Sequence, residues 1–279
     1  MKITQRLAIG YVQTKFKLLT LISKKKTAEQ ALIIFGTPYL KSTRKSPLKN
    51  TESIQFELNN KKVYGYRWNH PQPKKALILH GFGSAAHKFE EHAKLLANKG
   101  FEVLAFDAPA HGKSEGRSIN VIEYGDMIKL VMEKFGPINS FLAHSFGGIA
   151  LSLVLEDMPH DDRTKVVFIA PATETTSAID GAFDMLKLKN KIVRQEFDKL
   201  IFEISGKKTE WFSIRRAMHN IKASVLWIHD EADPITPCVD VLKVKEDQHA
   251  NIEFVFTKGL GHSKIYHDTE VKNKLIKFM

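Results

Sequence analysis

Cysteine is almost missing. Cys238 stands alone among 279 residues, which excludes an internal disulfide and any multi-cysteine zinc or iron–sulfur site. That usage fits a reducing compartment. Long apolar runs are missing too, since no stretch reaches the about 18 residues that cross a bilayer. The longest uncharged run near the start, residues 30–40, contains Gly36 and Pro38. Lys15 and Lys17 interrupt the place where a signal peptide would be apolar, and no small-residue cleavage site follows. A cytoplasmic location is therefore expected. Internal repeats and low-complexity tracts are absent as well. Acid is nearly missing from the first fifty residues, where eleven Lys and Arg face Glu29 alone. The other 229 residues hold 31 bases and 30 acids, so the net charge of +11 belongs to an arm and the body is nearly neutral. Nucleic-acid binding by the main fold thereby loses its electrostatic support.

What is present looks globular. Hydrophobic residues make up 43% and charged residues 26%, which excludes wholesale disorder. Residues 1–35 hold no proline and carry apolar residues at helical spacing on two faces: Ile3, Leu7, Tyr11, Leu18 and Ile22 on one, Ile9, Val12, Phe16 and Leu19 on the other. A helix ending near Gly36-Thr37-Pro38 is predicted, followed by a polar linker over 41–50. From residue 53 the period changes. Ser53–Leu58 and Lys62–Trp68 alternate around Asn59-Asn60 and predict a hairpin.

Six short apolar runs follow, at Ala76–Leu79, Glu102–Phe106, Asn139–Ala143, Val166–Ala170, Ser224–Ile228 and Ile252–Phe256. Helical patterns over 85–99, 120–135, 146–157, 237–247 and from Asp268 alternate with them. Continuous apolar strands alternating with helices predict an α/β fold, an eight-stranded mostly parallel sheet covered on both faces. Nearly fifty residues between Pro171 and Asn220 interrupt that rhythm. They hold helical patterns at Phe183–Val193, Arg194–Ile204 and Trp211–Met218, and an insert of this size at such a sheet usually covers a site. The expected organisation is a basic helical extension (1–50), an α/β core (51–171 and 220–279) and a helical cap (172–219).

The first βα turn admits two readings. Gly81-x-Gly83-x-x-Ala86 follows an apolar strand, and Asp107 closes the next strand 24 residues after Gly83. That pattern fits a dinucleotide fingerprint, in which the helix N-terminus holds a pyrophosphate and Asp107 takes ribose hydroxyls. Such a fingerprint normally opens the first βαβ unit, whereas about 75 residues and a hairpin precede this one. It also leaves two later motifs unexplained.

The first is Ala143-His144-Ser145-Phe146-Gly147, a G-x-S-x-G nucleophile elbow with alanine for the first glycine. A serine on that sharp strand-to-helix turn is lifted off the sheet, although an ordinary N-cap serine could occupy the same place. The second is Asp233-Pro234-Ile235-Thr236-Pro237 after one strand and Gly259-Leu260-Gly261-His262 after the last. Ser145, Asp233 and His262 follow the Ser…Asp…His order of this elbow, each just past the carboxyl end of a strand, where open α/β sheets place ligands.

With these motifs the chain, from about residue 53 onward, resembles the α/β-hydrolase superfamily, and within it bacterial esterase, lysophospholipase and serine-aminopeptidase-like members. His80-Gly81-Phe82-Gly83 resembles their oxyanion loop. Asp107-Ala108-Pro109-Ala110-His111-Gly112-Lys113-Ser114 resembles their D-x-P-G-H-G-x-S loop, with Ala110 in place of a glycine. The resemblance implies a serine hydrolase acting on a carboxylic ester (small ester, acylglycerol or lysophospholipid, with amides a poorer fit) through an acyl-enzyme on Ser145. His262 is the expected base, Asp233 its orienting acid, and the backbone N–H groups of Phe82 and Phe146 the expected oxyanion hole. A non-catalytic α/β-hydrolase-like binding protein is the alternative from another class. Serine at the elbow argues against dehalogenases and epoxide hydrolases, which use aspartate there.

Other residues have plainer expected roles. Asp230 and Glu231 rival Asp233, and His249 and His267 rival His262, but only Asp233 opens the two-proline turn and only His262 follows Gly-x-Gly. Asp107 and His111 are expected to brace their loop, and His144 to pack under the elbow. His87 and His92 lie five apart and share no helix face, so neither metal nor other cofactor is expected. Cys238 reads as an inert thiol near the acid loop. Phe183, Phe197, Phe202, Trp211 and Phe212 read first as the insert's own core. Residues 1–50 either pack on the hydrolase body or, with Lys24-Lys25-Lys26 directly after Leu18–Ile22, touch an anionic membrane.

Overall fold

A computed structural model gives the conformation of the protein and describes residues 3–39, 42 and 48–279. The polar linker expected over 41–50 lies largely outside them. In chain order the helices are α1 (Ile3–Ile22), α2 (Lys24–Gly36), α3 (Glu90–Asn98), α4 (Val121–Phe135), α5 (Phe146–Leu155), α6 (Thr175–Met185), α7 (Lys191–Ser205), α8 (Ile214–Ala217), α9 (Cys238–Glu246), α10 (Gly261–Lys264) and α11 (Thr269–Phe278). The strands are β1 (Glu52–Leu58), β2 (Lys61–Trp68), β3 (Lys75–Leu79), β4 (Glu102–Phe106), β5 (Ser140–His144), β6 (Lys165–Ile169), β7 (Ser224–Asp230) and β8 (Ile252–Thr257).

Among the described residues these strands form one eight-stranded sheet in the order β1-β2-β4-β3-β5-β6-β7-β8. β1 pairs antiparallel with β2, and β2 antiparallel with β4, so β2 alone runs against the others. From β4 to β8 every pairing is parallel. The pattern of burial follows from this. All five residues of β4 and of β5 are buried, as sheets covered on both faces require, while the edge strand β1 alternates in exposure. Ile78, Leu142, Val167 and Leu226 of the central strands pack with Phe89, Leu96 and Leu275 from flanking segments. Truncating one of these to alanine costs about 2–5 kcal/mol. The chain from Pro38 to Thr173 and from Ser213 to Met279 makes up this α/β unit.

The remaining chain is a second compact unit, residues up to Thr37 together with Glu174–Phe212. Its core contains Phe16 of α1 and Ala28 and Ala31 of α2, packed with Ile179 and Phe183 of α6 and Val193 and Phe197 of α7. Phe183 and Phe35 each meet the Phe197 ring edge-on, at 5.2 and 6.1 Å. The N-terminal helices and the insert, expected as separate pieces, thus share one core.

Local signals explain three departures from expectation. The single N-terminal helix is two, because Ser23 leaves helical geometry and its Oγ accepts from Lys26 N–H as the N-cap of α2. The helix expected over Phe183–Val193 is broken over 186–190, between α6 and α7, with Lys187 at φ +56° and Asn190 capping α7 through Ile192 and Val193 N–H. The first part of the 85–99 helix is a tight turn at Ala86–Phe89.

Candidate active site

β5 ends at His144 and α5 begins at Phe146, so one residue makes the reversal. Ser145 takes it at φ +52° and ψ −119°, a conformation that costs a non-glycine residue on the order of 1–3 kcal/mol. Surrounding bonds hold it there. Ser145 O accepts from Gly148 and Ala172 N–H at 2.9 and 3.0 Å, and Ser145 N–H donates to Ile169 O. Gly81 makes the close approach possible, because a Cβ there would lie 2.8 Å from Ser145 Cβ and 2.9 Å from His144 Nδ1. The Ser145 hydroxyl does not cap α5, which removes the N-cap reading.

The turns after β7 and β8 bring two more side chains to it. His262 Nε2 lies 3.0 Å from Ser145 Oγ, and His262 Nδ1 lies 2.8 Å from Asp233 Oδ2. His262 follows Gly259 and Gly261, at φ +78° and +59°, a turn that side-chain-bearing residues resist. Asp233 is buried, and Oδ1 accepts the N–H groups of Ile235 and Thr236 at 2.8 and 3.0 Å. Thr236 Oγ1 donates to Oδ2 at 2.8 Å. Burial pushes the Asp233 carboxyl up, but His262, then the backbone donors and the imidazole charge, outweigh it and hold the group at about 2. It is therefore ionised at neutral pH.

The rival residues are engaged elsewhere. Asp230 accepts from Ala232 N–H through Oδ1, and from Thr257 Oγ1 and Leu260 N–H through Oδ2, so it braces the turn that carries His262. Glu231 lies 3.6 Å from Lys258 at the surface. His267 is exposed against Tyr266, and His249 meets His219 in ring contact. His144, buried beneath the elbow, donates from Nε2 to His262 O at 3.1 Å.

The two glycine-rich loops interlock. Asp107 Oδ1 and Oδ2 accept from Ala86 and Lys113 N–H at 2.8 and 2.9 Å, and Ser114 Oγ donates to Asp107 O. His111 Nε2 accepts from Gly83 N–H at 2.9 Å while Nδ1 donates to Pro109 O. His80 Nε2 accepts from Ala108 N–H at 3.0 Å. Both oxygens of buried Asp107 are thus committed to backbone, which removes it as a ribose ligand and with it the dinucleotide reading. The Phe82 and Phe146 rings meet edge-on at 5.9 Å.

Cys238, partly buried at the start of α9, has its thiol pushed up by burial and by nearby carboxylates, as an inert thiol requires. Among the described residues His219, Asp247 and His249 form one group whose ligand atoms lie within 4.8 Å of one another, at the amino ends of β7 and β8. Both Asp247 oxygens already accept from Arg215 at 2.7 Å, so a cation would have to displace a guanidinium.

A sheet of this order with a serine on the reversal after β5 defines an α/β-hydrolase. The Hydrolase_4 family, described as serine aminopeptidase, S33, matches residues 71–213, just over half of the chain, and the chain belongs to that family. It is 25% identical to a putative esterase/lipase of Mycoplasma pneumoniae over 39% of this chain and 42% of that protein. Human monoglyceride lipase is 24% identical over 52% of this chain and 53% of its own length. The matched part thus spans about half the length of these relatives or less. An esterase from Pyrococcus furiosus shares the fold with a TM-score of 0.63 at 18% identity, covering 85% of this chain and 94% of its own.

Proposed function

We propose that the protein is a serine hydrolase that cleaves a carboxylic ester through an acyl-enzyme on Ser145. The observation that carries this reading is the unbroken path from Ser145 Oγ through the His262 ring to Asp233, with separations of 3.0 and 2.8 Å. Ser145 Oγ attacks the ester carbonyl carbon as its proton passes to His262 Nε2, and a C–O bond forms. The ionised Asp233 keeps the Nδ1 proton on the far side of the ring and stabilises the imidazolium. Negative charge on the former carbonyl oxygen is received by Phe82 and Phe146 N–H, the second of which opens α5 and has no partner within that helix. Collapse expels the alkoxide, which takes the proton from His262 Nε2. A water then gives a proton to the same nitrogen and attacks the acyl carbon, and as the bond to Ser145 Oγ breaks that proton passes from Nε2 to Oγ, releasing the acid and the free serine.

The names of the relatives, esterase/lipase, monoglyceride lipase and esterase, favour small esters or acylglycerols over amides. A panel of p-nitrophenyl esters and monoacylglycerols of graded chain length, beside aminoacyl p-nitroanilides, tests the class. Ester turnover and labelling by a fluorophosphonate probe are expected, and both vanish in Ser145→Ala while its thermal melt is kept. An unlabelled wild type, or a labelled alanine variant, overturns the reading and favours a binding protein on the same fold.

A further inference from the structure

The α1 helix buries one face and exposes another of the same chemical kind. Phe16 points into the shared core of the helical unit, and at 100° per residue Tyr11, Leu18 and Ile22 fall on the opposite side with Leu21 beside them. These four side chains are 72%, 58%, 79% and 75% exposed, respectively for Tyr11, Leu18, Ile22 and Leu21. A contiguous apolar stripe of this kind marks a surface that meets something apolar.

Charge identifies the partner. Lys17, in the same helix, lines an open cavity of about 490 Å³ with Lys187 and Lys189 from the α6–α7 turn. Lys24, Lys25 and Lys26 follow the stripe directly. Among the described residues none of these six lysines lies within 4.0 Å of a carboxylate, whereas Lys61, Lys94 and Lys272 of the α/β unit each pair with a glutamate. Aliphatic side chains flanked by unpaired ammonium groups suit the boundary between acyl chains and anionic headgroups. Nucleic acid would leave the leucines in water, and a second copy of this surface would set lysines against lysines. No described helix is long and apolar enough to cross a bilayer, so α1, about 30 Å long, would lie along the surface.

We propose that the helical unit built from α1, α2, α6 and α7 docks the protein on an anionic lipid bilayer, with Leu18, Leu21 and Ile22 inserted and the lysines set against headgroup phosphates. The insert as well as the N-terminal arm contributes to this surface, through Lys187 and Lys189.

Co-sedimentation of the full chain with vesicles tests it, reading binding and not hydrolysis. The wild type should pellet with phosphatidylcholine vesicles containing phosphatidylglycerol in low salt, and remain in the supernatant with phosphatidylcholine alone. Lys17→Gln/Lys187→Gln/Lys189→Gln should weaken partitioning roughly a hundredfold, at about fivefold per lysine. Leu18→Glu/Leu21→Glu/Ile22→Glu should abolish it while circular dichroism shows the helices retained. Wild type that stays soluble with anionic vesicles overturns the proposal. So does equal binding by the leucine–isoleucine variant, or sedimentation velocity showing that the stripe instead holds a dimer that these substitutions dissolve.

Discussion

The His144 imidazole, buried directly before Ser145 in the chain, donates from Nε2 to the backbone oxygen of His262 across 3.1 Å. The segments that carry Ser145 and His262 are thereby tied by a second link besides the 3.0 Å contact between their own side chains. The two rings lie 4.8 Å apart, centre to centre. Burial, then the neighbouring His262 charge, pushes His144 down to about 3, so it stays a neutral donor at neutral pH.

His144→Leu should therefore act on geometry. It removes the donor, leaves the His262 carbonyl without it, and costs about 1–3 kcal/mol of stability. Turnover should fall by about tenfold or more with KM little changed, because the misplaced group acts after substrate has bound. Steady-state kinetics on the best ester, with a urea melt beside them, checks this. Unchanged kcat would leave His144 as packing alone.

Acid should unfold the protein through its buried histidines. Burial holds His80 and His92 at about 4, and His144 at about 3, while an unfolded histidine titrates near 6.5. Below about pH 6.5 the unfolded chain binds protons that the folded chain refuses, so stability falls as pH falls, by about 1.4 kcal/mol per pH unit for each group, until near pH 4. Asp233, held at about 2, adds its own loss only below about pH 4. Urea midpoints measured from pH 7 to pH 5 should drop steeply, and His92→Phe should flatten the slope by one proton. A flat profile would mean that these imidazoles reach water.

Much of the site could be read from the sequence because it depends on short local patterns. The Ser145 turn needs small neighbours at fixed offsets, and the Asp233 and His262 turns carry their prolines and glycines beside them. Strands buried on both faces appear as unbroken apolar runs. The shared core of the helical unit has no such local record. Phe16 and Phe197 share that core across 181 positions of chain, and two apolar faces on α1 show only that both could be used. The break at Ser23 was hidden because Lys26 stands where a glutamate would complete a capping box.

Ala110 replaces a glycine of the resembling loop, and the structure holds it buried at φ +67°. A Cβ in that region costs about 1–2 kcal/mol, against the entropy of about 0.5–1 kcal/mol that glycine loses on folding. Ala110→Gly should raise stability by about 0.5–1 kcal/mol, visible as a higher melting temperature. A lower one would show that the methyl group fills space the loop needs.

Asp230 and Asp233 stand three residues apart and meet different partners. Asp233 faces His262 Nδ1 at 2.8 Å. Asp233→Asn keeps the shape but lets the amide donate where the ring must donate, favouring the wrong tautomer, so turnover should fall on the order of a thousandfold or more. Asp230 does not face the imidazole, and its oxygens accept from Ala232 N–H, Thr257 Oγ1 and Leu260 N–H. Asp230→Asn sets an amide against donors in a buried place, which should cost about 1–3 kcal/mol of stability while turnover changes less than at Asp233. Kinetics and melts of the two variants side by side decide the assignment. If Asp230→Asn loses the greater share of turnover with its melt intact, Asp230 is the residue that orients His262, and the path through Asp233 is a structural one.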